Sequence, residues 1–101
     1  MNNRWYELSP DVCIVISKIE LAPDEDRIRY AKILLDELRK SGYIANRRIY
    51  LERIRNYEMR RWYDKNKTLF MAFEYLKDAK PEIQNLVANK ILHYMRLETA
   101  A

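Results

Sequence analysis

The chain carries one histidine, His93, and one cysteine, Cys13, so the two side chains that most often supply general bases, nucleophiles and metal ligands occur once each. Asn89, Lys90, Met95 and Arg96 surround His93 in sequence, and none of them would orient an imidazole or share a metal with it, so His93 is expected to be structural or superficial. Cys13 sits in the apolar run Val12 to Ile16 and reads as an inert, buried thiol. A lone cysteine also excludes an internal disulfide, a thiolate metal cluster and a C-x-x-C redox pair, which fits a reducing compartment. Gly42 is the only glycine, too few for a phosphate-cradling loop. Asp24-Glu25-Asp26 reads as the acidic start of a helix and not as a cation loop, because no spaced set of carboxylates and carbonyls follows it. The sequence therefore predicts no catalytic residue, no metal site and no cofactor.

What remains is arginine and aromatic surface. From Arg39 to Arg61 there are eight basic residues against Glu52 and Glu58, a net of +6, so the rest of the chain carries −2 of the total of +4. Tyr43, Tyr50, Tyr57 and Trp62 are interleaved with those arginines. Such a face could hold phosphates and stack on bases, or it could meet an anionic protein, or it could be a solvated face paired with acidic helix ends. No motif with base-reading positions accompanies it. A second distinctive element, Arg-Trp-Tyr followed by an acid, occurs at Arg4 and again at Arg61. Its aromatics could pack inside the domain, or could anchor a partner, since Trp, Tyr and Arg dominate interface energetics. Trp5, Tyr6, Arg48, Arg55, Arg60, Arg61, Trp62 and Tyr63 are accordingly the candidate interaction residues. A protein partner or a second copy of the chain is the leading expectation, with nucleic acid as the alternative and no membrane.

The paired Arg-Trp-Tyr elements define a register of 57 residues. Along it Arg4, Trp5, Tyr6, Ala22, Glu25, Ala31 and Leu35 meet identical residues, seven in all between residues 4 and 38, where chance gives about two. Val12, Ile16, Ile19, Leu34 and Leu38 fall on Leu69, Phe73, Leu76, Ile91 and Met95, so the apolar pattern is shared as well. Residues 4–38 and 61–95 are read as pseudo-repeats. Two copies are too few for a solenoid and suggest a pair that closes on itself.

One glycine and three prolines leave few tight turns, and point to long helices. Ser9-Pro10-Asp11 is a helix start, with serine as cap and proline in the first position, predicting a helix from Pro10 to about Leu21, although the β-branched Val12 to Ile16 also suits a strand. Pro23 and three acids open a second helix with Ile28, Ala31, Leu34, Leu35 and Leu38 inward, closed by Arg39, Lys40 and Gly42. A third, basic helix is expected over about 45–63. Thr68 to about Asp78 makes a fourth, with Leu69, Ala72, Phe73 and Leu76 inward. The fifth starts at Pro81-Glu82 and buries Leu86 or Val87 with Ile91, Leu92 and Met95. The expected fold is all-α: one domain over residues 1–101, a five-helix bundle of two pseudo-repeated αα-hairpins joined by the basic helix.

The stretch Arg61-Trp62-Tyr63-Asp64-Lys65, with Thr68-Leu69, Leu76, Pro81-Glu82 and Ala88, resembles small uncharacterised bacterial helical proteins carrying an R-W-Y-D-K element. The resemblance covers residues 61 to 95, implies a bacterial protein and brings no activity or functional residue with it. The N-terminal residues lack the apolar stretch of a signal peptide and no apolar run approaches the ~20 residues that span a bilayer, so a soluble, cytoplasmic protein is expected.

Overall fold

The computed structural model describes residues 5–43, 52 and 62–100. Among them are four α-helices: α1 (Pro10–Leu21), α2 (Asp24–Lys40), α3 (Lys67–Asp78) and α4 (Pro81–Ala100). Single 3-10 turns, Trp5–Leu8 and Trp62–Lys65, precede α1 and α3. No strand occurs among the described residues. The expected third helix lies outside the described residues except for Glu52 and its last two positions, and those two, Trp62 and Tyr63, belong to a 3-10 turn instead.

The strand-like run at the start of α1 is helical. Val12, Val15, Ile16 and Ile19 recur at spacings of three, one and three and all four are buried, so one helical face removes from water what a strand would have divided between two. Ser9 holds the capping position with extended backbone, but its side chain makes no cap. Its hydroxyl donates to Asn85 Oδ1 of α4 at 2.6 Å, trading a local bond for one that ties two elements. Asn66 does cap α3, its Oδ1 accepting from the backbone N–H of Thr68 at 2.9 Å and of Leu69 at 3.1 Å.

α2 ends as its residues direct. Gly42 takes φ +90, where a Cβ would be strained. The Tyr43 N–H reaches back to the Leu38 carbonyl and the Gly42 N–H to that of Arg39, both at 3.1 Å, the paired bonds of a Schellman motif. Tyr43 then fastens the chain to α3: its hydroxyl donates to Asp78 Oδ2 at 2.9 Å and its ring lies 5.9 Å from that of Tyr75.

α1 turns into α2 through Ala22, and α3 into α4 through Ala79, both in extended backbone. The four helices then pack crosswise, α1 against α4 and α2 against α3, with α2 and α4 also in contact. Phe73, Ile16, Ile19, Leu34, Leu38, Leu76 and Ile91 fill the centre. Val87 is buried where Leu86 is exposed, which decides the inward face of α4. On α2, Tyr30 and Glu37 are buried and Ile28 and Leu35 only half-buried, so its inward face is turned slightly from the one expected. No helix of the described residues is long and apolar enough to cross a membrane.

Candidate interaction groove

The Trp-Tyr elements lie against the core. Tyr6 and Tyr63 are buried and Trp5 and Trp62 half-buried. Within each pair the rings meet edge to face, Trp5–Tyr6 at 5.4 Å and Trp62–Tyr63 at 5.5 Å, and Phe73 receives both Tyr63 at 4.6 Å and Trp62 at 5.5 Å. Trp5 Nε1 donates to the Tyr63 hydroxyl at 3.4 Å, joining the two elements. The rings of Tyr6 and Tyr63 therefore spend their apolar area inside the domain. Arg48, Arg55, Arg60 and Arg61 lie outside the described residues. Cys13 is a free, half-buried thiol packed beside the core. No group of three or more His, Cys, Asp or Glu side chains that could hold a metal occurs among the described residues.

A recess of about 490 Å³ runs between the end of α2 and the middle of α4. Its floor holds Glu37, only 4% exposed. A buried carboxylate needs partners. The Tyr94 hydroxyl donates to Glu37 Oε1 at 3.4 Å, and the ammonium groups of Lys90 and Lys40 stand 3.4 Å from Oε2 and 3.9 Å from Oε1. Lys40 is shared with Asp36 at 2.9 Å, and Arg39 reaches the same carboxylate at 2.7 Å. Those two hydrogen bonds hold the Asp36 carboxyl below the usual carboxylate range, and Asp36 in turn raises Lys40. Leu86, Asn89 and the exposed His93 complete the walls.

Sequence reading did not single out Glu37. Its signal was its place: three residues after Leu34 and seven after Tyr30, it falls on the apolar stripe of α2. The exposed face of α4 was likewise unassigned. Leu86 is 46% exposed and Leu97 56%, and with Lys90 and His93 they form a stripe spaced four, three and four residues apart, the spacing of a helix–helix seam. Asp64, the acid of the second Arg-Trp-Tyr element, is buried, and so is Glu74, which the sequence alone did not mark.

At the far end of α2, Arg29 bridges to Glu98 on the last turns of α4, and the Tyr30 hydroxyl donates to the same carboxylate at 2.7 Å. Arg29 first, then Tyr30, holds the Glu98 carboxyl below its ordinary range.

Comparison with known proteins finds no family model that matches this chain, no similar curated protein and no similar solved structure.

Proposed function

We propose that this chain is a non-enzymatic helical interaction module that receives a helical segment of a partner protein in the groove between α2 and α4. The observation that carries the reading is the seam Leu86, Lys90, His93 and Leu97, which opens beside a recess of about 490 Å³. Water-facing leucines at helical spacing gain roughly 1.5–3 kcal/mol each on full burial, less from a half-exposed start. A partner helix laid along the seam would bury both together. Tyr94, half in the groove, offers the aromatic anchor that such sites favour.

An internal duplication completes this reading. Its support is local and repeated: Trp5 and Trp62, Pro10 and Lys67, and Asp24 and Pro81 open their elements at the same offset of 57. Matched positions such as Ile16 and Phe73, Ala31 and Ala88, and Leu34 and Ile91 are buried in both halves. Glu37 and Tyr94 are themselves 57 apart and touch, which is what residues on an internal two-fold axis do. The basic helix, ending before the turn that starts at Trp62, would then be the fifth element, joining the halves. The free thiol of Cys13 fits a cytoplasmic setting.

The test compares the native chain with the double variant Leu86→Asp, Leu97→Asp, in sedimentation and in partner capture. Loss of a captured protein or of self-association in the variant, with helicity unchanged, supports the groove. A native chain that stays monomeric and recovers nothing, or a variant that recovers the same proteins, overturns it. The second reading, nucleic-acid binding by the segment of net +6, rests on that charge. It requires affinity that falls steeply with salt and drops when Arg48, Arg55 and Arg60 become alanine.

A further inference from the structure

The corner where the start of α2 meets the 3-10 turn Trp62–Lys65 holds two buried hydrogen-bond donors without an acceptor, Trp62 Nε1 and Arg27 Nε. Buried donors are nearly always satisfied, so two at one place call for a cause. Both side chains line a single recess of about 270 Å³, together with Asp24, Lys65 and Asn66. Arg27 cannot easily turn elsewhere. Its Nη1 donates to Asp24 Oδ1 at 3.2 Å, its Nη2 donates to the Glu20 carbonyl, and its Cζ lies 5.3 Å from the centre of the Trp62 ring.

The corner at the matched positions, 57 residues away, serves as an internal control. There Trp5 Nε1 has an acceptor in the Tyr63 hydroxyl. Gln84 stands in the place of Arg27 and gives its amide to the Leu76 carbonyl at 2.9 Å and the Lys77 carbonyl at 3.3 Å. Ser9 and Asn85 bond across that corner. The described side chains of that corner, Trp5, Ser9, Gln84 and Asn85, are thus uncharged and bonded. The other has gained two cations and keeps an indole N–H and a guanidinium N–H unmatched.

We propose that this second corner is a binding site for a small oxyanion, a carboxylate or phosphate group, that accepts from Trp62 Nε1 and Arg27 Nε and pairs with the Lys65 ammonium. Charged acceptors make the stronger hydrogen bonds, and the guanidinium stays charged at any ordinary pH. The first amides of α3 play no part, since Asn66 already occupies them. Asp24 opposes the anion, but its side chain is 91% exposed and engaged with Nη1, and the corner keeps a net charge of +1 from Arg27, Lys65 and Asp24. This site is independent of the groove between α2 and α4.

The chain holds two tryptophans, so a nitrogen-15 spectrum contains two indole N–H signals, one for each corner. The full chain is titrated with inorganic phosphate and, separately, with acetate, against chloride at matched ionic strength. The expected result is a saturable shift of the Trp62 signal with at least one oxyanion while Trp5 stays still. Lys65→Ala should weaken the binding about fivefold, and Asp24→Asn should tighten it. A response to phosphate alone assigns a phosphate ligand, and a response to acetate alone a carboxylate. A Trp62 signal that moves no more than in chloride, one that moves in step with Trp5, or titrations unchanged in both variants would overturn the site.

Discussion

The corner of Trp5, Ser9 and Gln84 and the corner of Trp62, Asn66 and Arg27 are built from positions 57 residues apart yet finished differently. The first is sealed by a Ser9–Asn85 bond of 2.6 Å and leaves α1 without a side-chain cap. The second keeps its cap on α3 and leaves a recess. A side chain at the capping position can serve its own helix or a neighbouring element. Spending it on the helix leaves the corner open to something else.

The largest effect that can sharpen this comparison is in the core beneath the two corners. Phe73→Ala should cost about 3–5 kcal/mol, and Ile16→Ala at the matched position should fall near the low end of its ~2–5 kcal/mol range. The difference arises because Phe73 makes ring contacts to both Trp62 and Tyr63. Urea denaturation with an unchanged slope measures both, and equal losses would mean that the aromatic cluster adds nothing. Next comes the capping position. Asn66→Ala should destabilise by ~1 kcal/mol, whereas Ser9→Ala, which removes only an exposed bond, should stay within about 0.5 kcal/mol. A reversed order would show that the cross-link matters more than the cap.

The smallest effect belongs to Glu98, which has no charged counterpart at Ser41, the position 57 residues earlier. Because Arg29 and Tyr30 lower its folded pKa, its contribution to stability is present above the ordinary carboxylate range near ~4.3 and is lost as pH falls through the folded value. Thermal melts of the native chain and Glu98→Gln should therefore differ slightly at neutral pH and converge in acid. A gap that stays constant down to pH ~3 would remove the linkage.

Much of the fold was legible because local rules agreed with one another. Ser9-Pro10, Pro23 with its acids, and Pro81-Glu82 mark starts within a residue or so of those observed, and Gly42 marks an end through its left-handed conformation. The sites were much less legible. Whether Leu86 or Val87 faces inward depends on where α1 and α2 lie, which no single helix encodes. Glu37 was concealed by its type, since a buried acid needs partners and the lysines that meet this one come from two helices. The unmatched donors of Arg27 and Trp62 arise from the meeting of two elements far apart in sequence, and periodicity within either one is silent about them.

The Schellman motif and the Tyr43–Asp78 bond have one more consequence. The stretch between Tyr43 and Trp62 leaves from a point fastened to α3 and returns to a ring packed on Phe73, also in α3. The two residues that flank positions 44–61 are thus anchored to one and the same helix, so a change in α3 reaches both of them at once.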